Sequence, residues 1–444
     1  MHRVAAIESH LSLKDPDRRA VLVCGVRTPF TRAFGEQLGM DTIDLGCEAV
    51  RGLLNKSKLP PSEIDHVAWG GVMMRSGCPN TAREIVIDLD LPLNISAHTE
   101  TMACASGMKS ILSAMQLIES GNADVVVAGG SDSVSCTEVP LARDVSQSLA
   151  LYSSGKISSR KLVSVAGYPW KWLPTQPSIA ERSTGKSMGF HADMMAELCR
   201  VPRSAQDLFA MDSHKKAAAA IKAGLFSEEI IPVKTKPVKH RPAITITKDT
   251  LVRAQQDSVK IASLRPVFRK TGTITAATAS PLTDGAAAVL MMSAKKAKSL
   301  GYAADIAIRS FAMSGINPQP NLLLAPALAI PVALRRAGLT LADIDFFEIH
   351  EAFAGQVLAT IQVLASQQLC QRFLKRSDAV GTIPADRVNI YGGSVSIGHP
   401  FGATGARLAT NAARILRTHP SSRYVLVSIC AAGGLGLVVI FERL

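Results

Sequence analysis

One succession of patterns occurs twice in this chain. PVALRRAGLTLADIDFFEIH (331–350) follows the order of VRGLLNKSKLPPSEIDHVAWG (50–70): a helical pattern, a turn, an Ile-Asp pair and an apolar strand. Further along, GHPFGATGARLATNAARIL (398–416) parallels ACASGMKSILSAMQLI (103–118), and YVLVSICAAGG (424–434) parallels ADVVVAGG (123–130). Such an echo predicts two similar α/β halves. ADVVVAGG is a continuous apolar run of the kind used by strands covered on both faces. In such an arrangement the active site falls between strand ends supplied by both halves.

Periodicity places a strand at 20–25, a helix at 43–55, a strand at 64–70, a helix at 109–121 closed by Gly121, and a strand at 123–130. Residues 1–140 are thus expected to form the first half, completed by about 263–289, and residues 290–444 the second. Between them, 141–262 is less regular, with a Ser-, Gly-, Pro- and base-rich stretch at 151–189 and a helical pattern at 204–223. This reads as an inserted domain that covers a ligand. Its Trp170 and Trp172 are either packing aromatics or anchors for a membrane or partner.

At 444 residues and 47% hydrophobic content the chain can fill real cores, which excludes global disorder. No apolar run reaches the roughly 20 residues needed to span a bilayer. The N-terminal stretch carries acidic residues without a signal-peptide pattern, so a cytoplasmic enzyme is the default. The eight cysteines contain no CxxC pair and fit a reducing compartment, each to be judged as core residue or catalyst. The net charge of +13, enriched at 212–241 and 253–270, suits a polyanionic ligand, nucleic acid or an anionic membrane. Without a zinc-finger, RNA-binding or helix-turn-helix signature, a phosphate-bearing small molecule is at least as good a partner as nucleic acid.

Four segments carry candidate chemistry. Cys104, in ACASG, stands among small residues before a helix, whose free amides and dipole would favour a nucleophilic thiolate. Its plain alternative is a small core residue. His399, in GGSVSIGHPFGATGAR (392–407), is presented by a glycine-rich bend before a helix and could hold the thiolate or donate to an oxyanion. Cys430, ahead of AAGGLG (431–436), is either a second thiol serving as acid/base or a buried core residue. His350 and Glu351 open HEAFAGQ (350–356). The histidine could donate to a substrate oxygen and the glutamate position loop groups or water, or both could serve a strand-to-helix cap. Ala354 rules out HExxH, and with it a zinc-protease reading.

VRTPF (26–30), NTAREIV (80–86), ACASG, GTITAATASPLTDGAAAV (272–289), HEAFA, GGSVSIGHPFGATGAR and CAAGGLG together make a chain that resembles the thiolase superfamily. The likeness is greatest to the 3-ketoacyl-CoA thiolase (beta) subunit of fatty-acid oxidation complexes, and it covers nearly the whole chain. It implies two βαβαβαββ halves in an α/β/α/β/α layered core with an inserted loop domain. It implies Cys104 as nucleophile, His399 as its activator, Cys430 as acid/base and His350 as a polarising group, with Glu351 and Gly433 in support. Histidine at the start of HEAFA is the oxidation-complex form.

The implied reaction is ping-pong thiolysis of 3-ketoacyl-CoA through an acyl-cysteine. Coenzyme A is a substrate, and neither a tightly bound cofactor nor a metal is required. A second oxyanion site is expected from amides near Cys104 and the CAAGG turn. The CoA phosphates would meet basic residues within 212–241 or 253–270. The resemblance further implies a homodimer, a possible hydratase/dehydrogenase alpha subunit docked at 141–189, a peripheral membrane contact, and a mitochondrial matrix location in a eukaryote. Departures from the family pattern are Thr278 for asparagine, Ala325 for glycine, and Ser396 and Ile397 in a variable stretch. Alternatives within reach of the same residues are biosynthetic condensation and a non-catalytic complex subunit. Cys430 counts against a decarboxylating ketoacyl synthase.

Overall fold

Alternate residues of β1 (Ala20–Arg27) enter different cores: Ala20 and Leu22 join one apolar cluster, Val21 and Val23 another. The computed structural model describes residues 15–165, 173 and 180–444; Trp170 and Trp172 lie outside them. The first half continues through α1 (Thr42–Ser57), β2 (His66–Gly70), α2 (Thr81–Asp88), β3 (Ser96–Glu100), α3 (Ser106–Glu119), β4 (Val125–Asp132) and, after the insertion, β5 (Thr283–Ser293). The second half comprises β6 (Ile306–Gly315), α8 (Ala325–Ala337), β7 (Phe346–Ile349), α9 (Ala354–Ala365), α10 (Phe401–Thr418), β8 (Tyr424–Ala431) and β9 (Leu435–Arg443). In the intervening stretch lie α4 (Arg143–Ser153), α5 (Ser159–Val165), α6 (Met188–Leu198) and α7 (Arg203–Lys222).

The nine strands run in the order β7-β8-β9-β6-β1-β5-β4-β2-β3, and Thr31–Arg32 pairs beside β5. The sheets of the two halves join where Val21 of β1 meets Ala307 of β6. Within each half the strands that precede the site run parallel, β2 with β3 and β4, and β7 with β8. Helices α3 and α10 pack on each other between the halves, α1 and α2 cover the outer face of the first, and α8 covers that of the second. This gives five layers, α/β/α/β/α. Burial of a single valine or leucine in them contributes about 1.5–3 kcal/mol, so the continuous apolar strands are well stabilised.

The second half departs from the expected order at one place. Opposite β3 it has no strand, only an isolated bridge from Val388 to Phe347. The next residue, Asn389, turns to φ 45°, which stops extension. Its side chain substitutes for a strand partner: Oδ1 accepts from the Ile349 amide (2.8 Å) and Nδ2 donates to the Ile349 carbonyl (2.9 Å). The helix expected at 109–121 begins earlier, at Ser106, and Gly121 lies just beyond its end with φ 82°.

Arg27 of VRTPF fastens the first half to the insertion. Fully buried, it binds Glu229 (2.7 Å) and Asp249 (2.6 Å), and Arg414 of α10 binds the same Glu229 (2.8 Å). The two carboxylates hold the guanidinium charged despite its burial.

Candidate active site

Helices α3 and α10 meet at their first turns through backbone alone. A Cβ on Gly107 would lie 2.1 Å from the Gly402 carbonyl, and one on Gly405 would lie 2.1 Å from the Met108 amide. Only glycine permits this approach. Cys104, two residues before α3, is thereby brought to His399, two residues before α10. Asp132, closing β4, secures the crossing by accepting from the Gly402 (2.6 Å), Val72 (3.0 Å) and Met73 (2.5 Å) amides. Burial raises its carboxyl to about 6.

His350 follows the C-terminal end of β7, so both halves contribute to one site. The Cys104 sulfur and ring nitrogens of His350 and His399 all lie within 4.8 Å of one another. The two imidazole centres are 4.1 Å apart. Both rings are buried, and each leaves Nε2 without a partner among the described residues.

The hydrogen-bond partners around His399 assign its tautomer. Thr404 Oγ1 donates its only proton to the Pro400 carbonyl (2.8 Å), so toward His399 Nδ1, 2.6 Å away, it can only accept. His399 therefore carries its proton on Nδ1 and offers a lone pair at Nε2. Burial, aided by the charge of Arg407, pulls this imidazole down to about 3. It is neutral at physiological pH, the form that a general base must have. His350 is likewise pulled well down, by burial first and then by His399 and Arg407.

Cys104 differs from the expected resting thiolate. Packing around the sulfur pushes the thiol up to about 12, and Asp132 acts in the same direction. The amides of Ala432 and of Cys104 itself favour the thiolate but do not overcome desolvation. The helix terminus therefore leaves Cys104 protonated at rest, with a neutral base beside it. Cys430, near the end of β8, is 1% exposed, and burial followed by the proximity of Cys104 raises its thiol well above the ordinary value. Among the described residues all eight cysteines are free.

Glu351 lies behind the reacting groups. It accepts from Asn389 Nδ2 (2.6 Å), Ser213 Oγ (2.8 Å) and the Val395 amide (3.1 Å), tying α7 and the 393–397 bend to β7. Gly433 adopts φ 83° in the turn from β8 to β9, and its amide donates to Glu181 Oε2 (2.9 Å) in the insertion. Of the CAAGG turn it is thus the Ala432 amide that faces Cys104. The departures keep the loops tied: Thr278 Oγ1 accepts from the Thr275 amide (2.9 Å), Ser396 Oγ meets Ser213 Oγ (2.9 Å), and the Ala325 carbonyl accepts from Ser314 Oγ (2.6 Å).

A groove of about 300 Å³ has Val395, the residue after Ser394, and Ala279 in its wall, with Arg32, His214, Arg253 and Lys260 around it. Sequence reasoning did not single out Asp132, Ser394, Thr404 or Arg407. Asp132 was visible as a lone acid closing an apolar strand, and Thr404 and Arg407 lay inside the quoted glycine-rich motif. Only contacts reveal their roles.

Comparison with known proteins agrees over the full architecture. Residues 20–295 match the family model for the thiolase N-terminal domain and residues 302–443 that for the thiolase C-terminal domain. The chain is 38% identical over 426 residues to a 3-ketoacyl-CoA thiolase of Shewanella woodyi, covering 96% of this chain and 97% of that one. It is 40% identical over 425 residues to a probable 3-ketoacyl-CoA thiolase of Caenorhabditis elegans, covering 95% and 93%. The crystal structure of human mitochondrial 3-ketoacyl-CoA thiolase superposes with a TM-score of 0.80 at 27% identity, covering 97% and 100%. That of the Bacillus anthracis acetyl-CoA acetyltransferase gives 0.80 at 28%, covering 96% and 99%. With its two-half architecture matched end to end, this chain belongs to the thiolase family.

Proposed function

We propose that this enzyme cleaves 3-ketoacyl-CoA with CoA, giving acetyl-CoA and an acyl-CoA shortened by two carbons. The observation that carries the reading is the convergence of the Cys104 sulfur with one ring nitrogen each of His350 and His399, whose Nε2 atoms are left unpaired among the described residues. Cys104 gives its proton to His399 Nε2 as its sulfur attacks the 3-keto carbon. The bond between C2 and C3 breaks, leaving an acyl-cysteine and the enolate of acetyl-CoA, whose thioester oxygen faces the two histidines. Cys430 protonates the enolate carbon. The resulting thiolate takes the proton of the incoming CoA, whose sulfur attacks the acyl-cysteine and expels Cys104, and the leaving Cys104 sulfur takes its proton back from His399 Nε2. The amides of Ala432 and Cys104 face the acyl oxygen in both steps.

These transfers balance with side chains and CoA alone. The same steps in reverse condense two acyl groups, with direction set by concentrations. Arg253 and Lys260 beside the groove support recognition of the CoA phosphates, and Glu351 and Gly433 hold the loops that frame the site. The stretch 141–262 acts as the covering domain. A homodimer is supported by β3, which ends the sheet with one unpaired side. Leu151, Tyr152 and Val163, exposed on α4 and α5 near Lys156, Arg160 and Lys161, would suit a membrane surface or a hydratase/dehydrogenase subunit. No helix among the described residues is long and apolar enough to cross a membrane.

The reading is tested by following CoA-dependent loss of 3-ketoacyl-CoA absorbance across chain lengths, in wild type and Cys104→Ala. Cleavage abolished in the variant supports it. Folded wild type that cleaves no chain length overturns it.

A further inference from the structure

The two site histidines have different second partners, and this gives them different protons. His350 Nδ1 lies 3.0 Å from Ser394 Oγ, which also receives Nη2 of Arg407 at 3.3 Å. A guanidinium can only donate, so the serine oxygen is an acceptor toward Arg407. Its own proton has one described acceptor left, His350 Nδ1. This ring therefore accepts at Nδ1 and bears its proton on Nε2, the reverse of His399. All three residues are buried, so water does not compete for these contacts.

We propose that Arg407, acting through Ser394, is a positioning residue that locks His350 as the Nε2–H tautomer. The inference rests on the thiolysis reading for its catalytic meaning. His399 then offers a lone pair to the Cys104 proton while His350 offers a proton to the thioester oxygen, and the two neutral imidazoles do not exchange duties. The trio is spaced closely enough to tempt a soft cation, but a protonated Nε2 has no lone pair for one.

Arg407 is itself placed by the fold. On α10 it shares a helix face with Asn411 and Arg414. That face meets β7, where Phe347 and Ile349 point into the outer core and Glu348 points the other way. Glu348, 1% exposed, supplies the largest opposing charge to the arginine, ahead of Glu351 and Glu229. Arg407 in turn disfavours the protonated form of both histidines. One side chain thus adds to the burial that keeps both rings neutral and selects the proton position of one.

The test is ¹⁵N NMR of full-length protein labelled at histidine, with the His350 signal identified by its loss in His350→Asn. Wild type is expected to show a proton on His350 Nε2 and a bare Nδ1, and His399 the opposite. Ser394→Ala should give a mixture of His350 tautomers and a kcat lower by up to about 100-fold, the scale of one misplaced oxyanion donor, with little change in the KM for CoA. Ser394→Thr should restore both. A wild-type His350 protonated on Nδ1 overturns the proposal, as does an unchanged tautomer in Ser394→Ala whatever its rate. The tautomer is read without turnover: absence of thiolysis with the expected spectrum overturns the reaction assignment and leaves the proton assignment standing.

Discussion

His399 Nδ1 and Thr404 Oγ1 lie 2.6 Å apart at the head of α10, and the threonine proton is already committed to the Pro400 carbonyl. A hydroxyl on the first helical turn thus decides which nitrogen of the histidine is basic. The Cys104 thiol, pushed up to about 12, cannot act without that base. Activation is a proton transfer made when substrate arrives, rather than an ion pair stored in the resting enzyme.

Thr404→Val keeps the shape of the side chain and removes the acceptor. It should leave His399 free to flip tautomer, lowering the rate of Cys104 acylation about 10- to 100-fold at a stability loss of about 1 kcal/mol. Single-turnover acylation and urea unfolding measure the two effects. An unchanged acylation rate would remove Thr404 from the account.

Acid should destabilise the fold in part through His399. Folded His399 resists protonation to about 3, whereas the unfolded residue takes a proton near 6.5, so the unfolded chain binds more protons between these values. Stability from this group is complete above the unfolded value and declines as pH falls. Comparing His399→Asn with wild type by denaturant unfolding should show the wild type losing an extra ~1.4 kcal/mol per pH unit between about pH 6 and pH 4. Parallel pH profiles would contradict a buried neutral imidazole.

Cys430→Ala should separate the two half-reactions. With a 3-ketoacyl-CoA donor, Cys104 still attacks through His399, but transfer of the acyl group to CoA loses its base, and turnover falls by roughly 100-fold or more. Intact-protein mass spectrometry should find the acyl group accumulating. Full turnover with no accumulated adduct would assign the second proton transfer elsewhere.

Gly393→Ala should damage the site without touching a reacting group. The added Cβ would stand 2.3 Å from the Glu351 carboxyl carbon, displacing the side chain that holds the Val395 amide and Ser213. A loss of about 1–3 kcal/mol, with reduced kcat, is expected from thermal unfolding and steady-state rates. A variant with wild-type stability would show that Glu351 can move freely.

Much of the fold is legible before any coordinates. The repeated helix-strand order at 50–70 and 331–350 and the apolar runs of β4 and β8 announce two similar halves, because alternating burial leaves its period in the residues. The missing partner of β3 was not legible. It depends on Asn389 imitating a strand with its side chain, and nothing in the local pattern separates that asparagine from an ordinary loop residue.

By itself the sequence determined the doubled α/β architecture and the thiolase resemblance, and it named Cys104, His350, His399 and Cys430 as the candidates. Residue type and spacing carry those. The tertiary structure alone decided how protons are distributed among them. Desolvation of Cys104 outweighs the helix terminus that would have ionised it, because the packing around the sulfur removes most of its water while a helix end supplies only a few amides. Thr404 and Ser394 impose opposite tautomers on two neighbouring histidines because each hydroxyl has a single proton to give, and only the folded chain shows where it goes.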